Sequence, residues 1–455
     1  MSNIIDTNLT IFFHQNWIII IYWIFIFLII YFVLKRIFKI VKKRWLDKVK
    51  KKYLTDKRFV LLEVDVPRDN LQGPEAVERF FSALEGIKAK PNFREKYFQG
   101  KVQMDISLEI ASFDGQIQFF IYTPEKYRDL VEASLYATYP DAGIFEAQDY
   151  VDSGPTEFPD PEYDLWGTDL DLYAPNPFPI RTYPKFEHPL TKELKDPLVG
   201  LLESLSKLQQ GEQVWIQYII KPARPDFIKE GEFLVKKMSG QKIESKNRII
   251  DKILIVPIKV LQACADAIIE AFGFLVSSGE GEKKEERKSL SPGEQKVIEA
   301  VQLKMAKIAF DTKIRLIYLA KKEIFNTGRG IIGILSAFNA INTLDMNGLE
   351  PNKKTTTIEK ISKKRLSLKL GRKKTALKKA YKKRARYWQP EPIGIKKIIK
   401  NILDFLAVDL TKKRVSVLNI EELATLYHLP VSTTYPPLVK KTGSKKGEPP
   451  FGLPY

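Results

Sequence analysis

A long uncharged stretch near the start of the chain, WIIIIYWIFIFLIIYFVL at residues 17–34, constrains most strongly what this sequence can form. Apolar residues at 11–13 extend it upstream. Because a helix rises about 1.5 Å per residue, such a stretch crosses a hydrocarbon core of about 30 Å. No Lys or Arg precedes it and no small-residue cleavage motif follows it, which favours a retained anchor over a signal peptide. The sequence predicts an external N-terminus over residues 1–10 and a transmembrane helix over 11–34.

A dense basic segment follows this stretch. Residues 35–58 hold 12 Lys and Arg against Asp47 and Asp56, a net charge of +10. Basic flanks stay on the cytoplasmic side of a span, and each charge near anionic headgroups contributes about 1 kcal/mol. We therefore predict a single-pass protein of the cytoplasmic membrane, with its N-terminus outside, a basic juxtamembrane segment over 35–57 and a cytoplasmic body. The predicted membrane-surface residues are Lys35, Arg36, Lys42, Lys43 and Arg44.

A second basic block lies at residues 353–387, with 16 Lys and Arg against Glu359 and a net charge of +15. The two blocks carry +25 and the whole chain +19, so the remaining residues net −6. Runs of like charge are often solvated loops, but they also bind anionic membranes or DNA phosphates. These three interpretations stay open. The side chains that would contact DNA or lipid are Lys363, Lys364, Arg365, Arg372, Lys373, Lys374, Lys378, Lys379, Lys382, Lys383, Arg384 and Arg386.

The first part of the body alternates strand and helix patterns. Pro74 and Pro124 mark helix starts, and Gly115 supplies the turn of a hairpin. Alternating apolar residues predict the strands. These strands cover residues 58–66, 102–110, 117–121 and 143–147. Because the order β-α-β-β-α-β is the ferredoxin-like arrangement, one such domain is predicted over residues 58–150.

The remaining residues, 151–455, predict a second domain of the same kind. Its strands are predicted at 170–173, 212–222, 312–320 and 415–418, and its helices at 197–208, 328–341, 396–406 and 420–427. Its insertions are predicted at 223–294, helical with a linker, and at 352–388, basic and partly disordered. The apolar run over 253–276 holds four interruptions, which favours an amphipathic or membrane-surface helix over a second span. The predicted fold class is α+β: an N-terminal transmembrane helix followed by tandem ferredoxin-like (βαββαβ) domains, the second interrupted by helical and basic insertions.

Residues that usually carry catalysis or hold metals are scarce. The single cysteine, Cys264, excludes an intrachain disulfide, and the three histidines, His14, His188 and His428, lack zinc-site spacing. A P-loop needs G-x-x-x-x-G-K-[ST] to cradle phosphate, and the nearest stretches, TGSKKGEPP and LGRKKTALK, fail that spacing. Nucleophile-elbow and zinc-protease motifs are absent from the sequence. We predict no cofactor, no metal and no catalysis by this chain alone.

Four stretches resemble a known family, the membrane-anchored N-terminal domain associated with bacterial type IV secretion and conjugation ATPases. They are FFSALEGI at 80–87, DGQIQFFIYTPEKYRDLVEASLYATYPDAGIFEAQDY at 114–150, PLVGLLESLSKLQQGEQVWIQYIIKP at 197–222 and SVLNIEELATLYHLP at 416–430. In that family, this region precedes or accompanies a P-loop ATPase that translocates DNA. The resemblance implies a docking module, and because no P-loop follows these stretches, we expect its motor to lie on another polypeptide or to be absent.

Two function classes remain open at this stage. The first is a non-catalytic membrane platform of a type IV secretion- or conjugation-like DNA-translocation system, whose partners are the membrane, a separate P-loop ATPase and DNA. The second is a stand-alone membrane scaffold that mediates protein–protein contacts. The sequence also leaves self-association into a homo-oligomer open.

Overall fold

The computed structural model describes residues 2–66, 69–187, 195–239, 291–357, 364–386 and 415–431. For residues 2–21, 24, 29 and 364–368 it describes the backbone alone. The described residues form an α+β structure around a nine-stranded antiparallel sheet. Several predicted features lie outside them: the apolar run at 253–276, the linker after it and the helix at 396–406.

The chain begins with a helix of 54 residues, α1, Ser2–Thr55. At about 1.5 Å per residue, α1 is roughly 80 Å long. More than half of the side chains in the predicted span over 11–34 lie outside the described residues. Among the described residues, no helix combines the length and apolar character needed to cross a membrane.

The first half of the sheet follows α1. Its elements are β1 Phe59–Asp65, α2 Pro74–Leu84, α3 Phe93–Tyr97, β2 Ile106–Phe113, β3 Gln116–Pro124, α4 Arg128–Thr138 and β4 Gly143–Ala147. These strands lie in the order β4-β1-β3-β2, and all their pairings are antiparallel. The β2–β3 hairpin turns at Asp114 and Gly115, whose φ angles of 55° and 84° belong to the left-handed region that this tight turn requires.

The second half repeats this order and continues the same sheet. Its elements are β5 Tyr163–Leu172, α5 Val199–Ser206, β6 Glu212–Pro222, α6 Asp226–Met238, α7 Pro292–Ala306, β7 Ala309–Lys321, α8 Gly333–Asn339 and β8 Leu349–Pro351. The strands lie in the order β6-β7-β5-β8, and β6 pairs with β2 of the first half. The helices α6 and α7 come between β6 and β7 and pack against each other.

The last described segment connects the two halves. It contains β9, Ser416–Asn419, and α10, Ile420–Leu426. β9 pairs with the start of β7, beyond the end of β5, while α10 packs against α2 in the first half. Asn419 and Glu422 form the capping box that the sequence suggests for this helix. The segment therefore belongs to both halves.

Helices cover both faces of the sheet. On one face, α2, α4, α5, α8 and α10 bury the larger apolar core. On the other face lies α9, Lys364–Lys382, which comes from the second basic block. Its Leu377 and Tyr381 are fully buried against Phe120, Trp215 and Ile317. The sequence left open that the second basic block is a solvated loop. Residues 371–386 are not such a loop in the structure, because this stretch packs on the sheet as part of the second core.

Candidate functional site

The five predicted membrane-surface residues all lie on α1. Lys35, Lys42, Lys43 and Arg44 are exposed, and Arg36 is half-buried. Within the described part of the chain, no carboxylate forms an ion pair with Lys35, Lys42 or Lys43. These charges are therefore presented outward, as a site for anionic headgroups requires.

Beyond these charges, α1 is fixed to the sheet domain. The indole Nε1 of Trp45 donates a hydrogen bond of 3.0 Å to the carbonyl oxygen of Tyr97, and Lys42 Nζ lies 4.8 Å from the Tyr97 ring centroid. Gly100 has a φ of 70° and passes so close to α1 that a Cβ there would lie 2.4 Å from the Val49 carbonyl oxygen. Only glycine allows this approach, so the helix and the body are held in one arrangement.

The residues predicted on the second basic block divide into two sets. Lys363 lies outside the described residues, and Lys364 and Arg365 are described only as backbone of α9. The inward set is buried or half-buried against the sheet domain and consists of Lys373, Lys374, Lys378, Arg384 and Arg386. The outward set is exposed and consists of Arg372, Lys379, Lys382 and Lys383.

Inward-facing cations along α9 contact β5 and the loops beside it. Lys374 Nζ lies 2.5 Å from Oδ1 of Asp164, and Lys373 Nζ donates to the Thr356 carbonyl oxygen at 2.7 Å. Beyond the end of the helix, Arg386 Nε lies 2.9 Å from Oδ1 of Asp105. These contacts distribute the charge of the block over partners that are far away in the sequence.

Lys378 is the most deeply buried lysine of α9. Its Nζ donates to the carbonyl oxygens of Ser153 and Pro155, at 3.0 and 2.9 Å, and lies 5.5 Å from the Trp215 ring centroid. Burial lowers the pKa of Lys378 to about 8. A lysine with this environment binds the fold rather than an external phosphate.

Arg384 closes the end of α9 over the sheet. Its guanidinium lies 3.0 Å from Oε1 of Glu109, contacts both carboxylate oxygens of Asp149 and stacks 4.2 Å from the Tyr122 ring centroid. Burial opposes the charge, but Glu109 and Asp149 together raise the pKa of Arg384. Because both the arginine and Glu109 are buried, this ion pair is shielded from solvent and salt.

Glu109 is also the first member of a polar row that crosses four strands. It lies opposite Gln217, which donates to it at 2.9 Å. Gln217 lies opposite Arg315, and Arg315 lies opposite Asp169 and pairs with it at 2.9 Å. Next to this row, Lys313 pairs with Asp171 at 2.6 Å. The row forms a polar strip on the sheet face that α9 covers, and every charged residue in it has a partner.

Sequence reasoning missed this row. Its signal was present, because charged residues interrupt otherwise apolar strands, as in ISLEIASF at β2 and AFDTKIRLIYLAK at β7. Such interruptions indicate a second buried face that needs a polar cover. The sequence does not show which residues face each other, since strand register depends on contacts between distant segments.

The outward set keeps its charges at the surface. Lys379 pairs with Glu157 at 3.2 Å, and Lys382 pairs with Asp152, but the lysines are more than half exposed. Surface ion pairs of this kind contribute about 0–1 kcal/mol and exchange readily with solvent ions. These four residues are therefore accessible to a polyanion, as are the exposed Lys353, Lys354 and Lys369 of the same block.

A buried ion pair and a buried histidine on the opposite face bind the C-terminal segment. Lys304 and Glu422 lie 3.0 Å apart without solvent exposure, and burial lowers the pKa of Lys304 and raises that of Glu422. His428 contacts the Ala424 carbonyl oxygen through Nδ1 at 2.7 Å and Asp196 through Nε2 at 2.9 Å. Both histidine nitrogens are thus occupied by structural contacts. In the described ranges, no group of three or more His, Cys, Asp or Glu is placed to hold a metal ion.

A cavity of about 430 Å³ opens where the ends of β5, β6 and β9 meet. Asp171 and Asp311 in its wall are already paired, with Lys313 at 2.6 Å and with Lys221 at 3.5 Å. The polar side chains that line it are Asp171, Asn176, Arg224, Asp226, Glu230, Asp311 and Ser416. Its carboxylates outnumber its one arginine, which disfavours the phosphates of a nucleotide.

Comparison with known proteins identifies a family for this chain but no activity. No curated protein matches the chain. The profile of one family matches residues 41–366, which begin in the basic part of α1 and run to the start of α9. This match covers well over half of the chain. The protein therefore belongs to the family described as "Domain of unknown function (DUF8128)".

Proposed function

We propose that this protein is a non-catalytic, membrane-tethered platform of a type IV secretion- or conjugation-like DNA-translocation system. In this proposal a P-loop ATPase on a separate chain docks onto the sheet domain. The observation that carries the proposal is the surface of α1, where an exposed apolar stretch is followed by outward-facing cations on a helix fixed to the body.

The apolar surface of α1 surrounds the helix. The five consecutive residues 30–34 are all exposed, and at 3.6 residues per turn they cover its full circumference. Phe27 is 69% exposed, and large apolar side chains stay exposed as far as Val41. A helix that is apolar all round is stable in a protein core or in lipid. No other element of the described chain covers this stretch, so we assign it to the membrane, with residues 11–34 as the span.

The sheet supports the platform part of the proposal. Apart from the added helices α3, α6 and α7, each half has the element order β-α-β-β-α-β and the strand order 4-1-3-2, and β2 and β6 join the halves edge to edge. We propose to class the halves as tandem ferredoxin-like units, because their strand order and antiparallel pairing are those of that arrangement. A continuous sheet fixed to α1 gives a partner a rigid surface at a set orientation to the membrane.

Membrane attachment is tested by alkaline carbonate extraction of cell membranes. We expect the wild type to remain in the membrane fraction, and the double variant Phe25→Asp/Leu28→Asp to be released, because each central charge costs about 3 kcal/mol of insertion. The matched control, Leu303→Asp/Leu344→Asp, alters two exposed apolar residues outside α1 and should stay with the wild type. Release of the wild type, or retention of the α1 variant, would overturn the proposed membrane tether.

The orientation is tested separately. A reporter fused after Arg58 should be active in the cytoplasm.

The partner is tested with the full-length protein in lipid nanodiscs. We expect a P-loop DNA-translocating ATPase to co-purify and to bind again when both purified proteins are mixed, and we expect no ATP turnover by this chain alone. Tethering without such a partner would support the stand-alone scaffold instead.

A DNA contact is proposed for the outward set and not for the inward set, since the inward cations are engaged in the fold. Binding of duplex DNA should weaken steeply with salt, and replacing Arg372, Lys379, Lys382 and Lys383 by Gln should reduce the slope of log affinity against log salt by up to about 4. An unchanged slope would remove DNA from the proposal.

A further inference from the structure

Residues 88–101, the segment KAKPNFREKYFQGK, expose aromatic and basic side chains on the side of the body that holds α1. Phe93 is 70% exposed and Phe98 is 66% exposed. Single exposed apolar residues are ordinary, but here two phenylalanines lie within six residues of each other among cations. The exposed basic residues of this segment are Lys88, Lys90, Arg94 and Lys96.

The segment is built to hold these side chains outward. Asn92 and Glu95 form a capping box at the start of α3, and Glu95 pairs with Lys101 at 2.7 Å. The Gln103 side chain accepts from the Ala89 backbone at 2.6 Å and so fixes the entry to the segment. Each phenylalanine is therefore presented from an ordered backbone, which lowers the entropy lost when it contacts a partner.

The position of the segment along α1 indicates the partner. Tyr97 contacts α1 at Lys42 and Trp45. Exposed large apolar side chains are frequent on α1 from residue 22 to Val41 and sparse beyond it, where only Trp45 and Leu54 are of this kind among the described residues of the helix. Lysines between residues 35 and 41 can extend their charged ends outward from lipid while their stems stay in it. The contact with Tyr97 therefore lies beside the end of the dense apolar surface of α1, which the proposed tether places near the headgroups.

We propose that residues 88–101 form a second lipid-binding element, which places Phe93 and Phe98 among the headgroups of an anionic membrane beside α1. The inference rests on the proposed membrane tether. Its net charge of +4 is complementary to anionic lipid, and the aromatic side chains supply the apolar contact that peripheral membrane elements use. With two contacts, the tilt of the body relative to the membrane surface is restricted.

The test uses full-length protein in nanodiscs, with one fluorophore on an introduced cysteine in a Cys264→Ser background. Labels are placed at Phe25→Cys, Phe93→Cys, Phe98→Cys and the control Leu303→Cys, and lipids carry a quencher in either the headgroup or the acyl chain. We expect headgroup quenching at 93 and 98 to exceed that at 303 at least threefold on anionic lipid. Replacing Lys90, Arg94 and Lys96 by Gln should reduce it to the level seen on zwitterionic lipid.

The label at position 25 separates the two proposals. Acyl-chain quenching at 25 with no headgroup quenching at 93 and 98 would overturn the second element and leave the tether intact. Absence of quenching at all three positions would overturn both. Labels at 93 and 98 that respond to an added protein partner but not to lipid would also contradict the inference, and would assign this surface to that protein.

Discussion

The two basic regions of this chain have similar composition, but their cations differ in what they contact. In α1 the cations at Lys35 and Lys43 are exposed and Lys42 lies over the ring of Tyr97, whereas in α9 Lys374, Lys378 and the nearby Arg384 point into the sheet domain. The difference comes from what faces each helix. In the described chain, Lys35, Lys42 and Lys43 form no ion pair with a carboxylate, while α9 lies over a sheet face and loops that present carboxylates and carbonyl oxygens.

This difference shows that a run of positive charge is not evidence for a polyanion site until its local partners are known. The block at α9 carries the higher charge in the sequence, yet its inward half completes the second core of the protein. Within the described part of the block, the outward set is exposed together with Lys353, Lys354 and Lys369. Charge density does not predict whether a cation is buried in the fold or accessible to a ligand, because the neutralising groups come from distant strands and loops.

Removing Arg384 should have the largest effect. The variant Arg384→Met leaves Glu109 and Asp149 without their cation, and an uncompensated buried charge costs about 3–5 kcal/mol of the free energy of unfolding. The adjacent exposed control, Lys383→Met, should change it by less than about 0.5 kcal/mol. Both values are measured by denaturant unfolding in detergent. Equal effects of the two variants would mean that Arg384 does not hold α9 to the sheet.

A pair of glycine variants gives a second comparison. In α9, a Cβ on Gly371 would lie 2.6 Å from Cδ of Pro159, so Gly371→Ala should destabilise the protein by about 1–3 kcal/mol. At the start of α7, a Cβ on Gly293 meets nothing within 4 Å, so Gly293→Ala should stabilise it by up to about 1 kcal/mol. Thermal unfolding distinguishes the two directions. A stabilising Gly371→Ala would show that α9 packs loosely.

The buried lysine of α9 should make stability depend on pH. The pKa of Lys378 is about 8 in the folded protein, below its ordinary value of 10.5, so the unfolded chain binds the extra proton between these values. Stability from this group therefore rises as pH increases through 8. Between pH 7.5 and 9.5 the wild type should gain roughly 1–2 kcal/mol relative to Lys378→Met. If the difference between the two proteins stays constant with pH, Lys378 is solvated.

Neutral variants of α1 should leave the fold unchanged. Replacing Lys42, Lys43 and Arg44 by Gln should alter the free energy of unfolding by less than about 0.5 kcal/mol for each residue, since these side chains are exposed. Binding of the protein to anionic vesicles should weaken by about 1 kcal/mol per charge. A loss of stability comparable with that of Arg384→Met would remove the contrast between the two regions.

Local patterns predicted much of the fold. The strand expected at 212–222 is β6, the strand expected at 143–147 is β4, and Asn419 caps α10 as its spacing to Glu422 suggests. These elements follow from apolar alternation, proline and capping residues, which act over a few positions. The strand around 170–173 was predicted too short, since β5 begins at Tyr163 in a region rich in proline and acidic residues.

The candidate site was predictable only in part. The cations of α9 were identified as a group, but their division into inward and outward sets depends on the register of β2, β6, β7 and β5. The helix itself has few apolar residues, and Leu377 and Tyr381 alone do not reveal a buried face in a chain of lysines. The segment at 88–101 was missed, because its two phenylalanines acquire meaning only from their place beside α1.

Amide hydrogen exchange over residues 371–382 tests most directly the claim that the second basic block is part of the fold. We expect these amides, measured in the full-length protein in nanodiscs, to exchange as slowly as those of β6 and β7, because α9 opens only when the second core opens. The outward side chains do not change this expectation, since backbone amides report the helix and its packing. Exchange within seconds over 371–382, with β6 and β7 still protected, would contradict the account and return the block to a solvated loop.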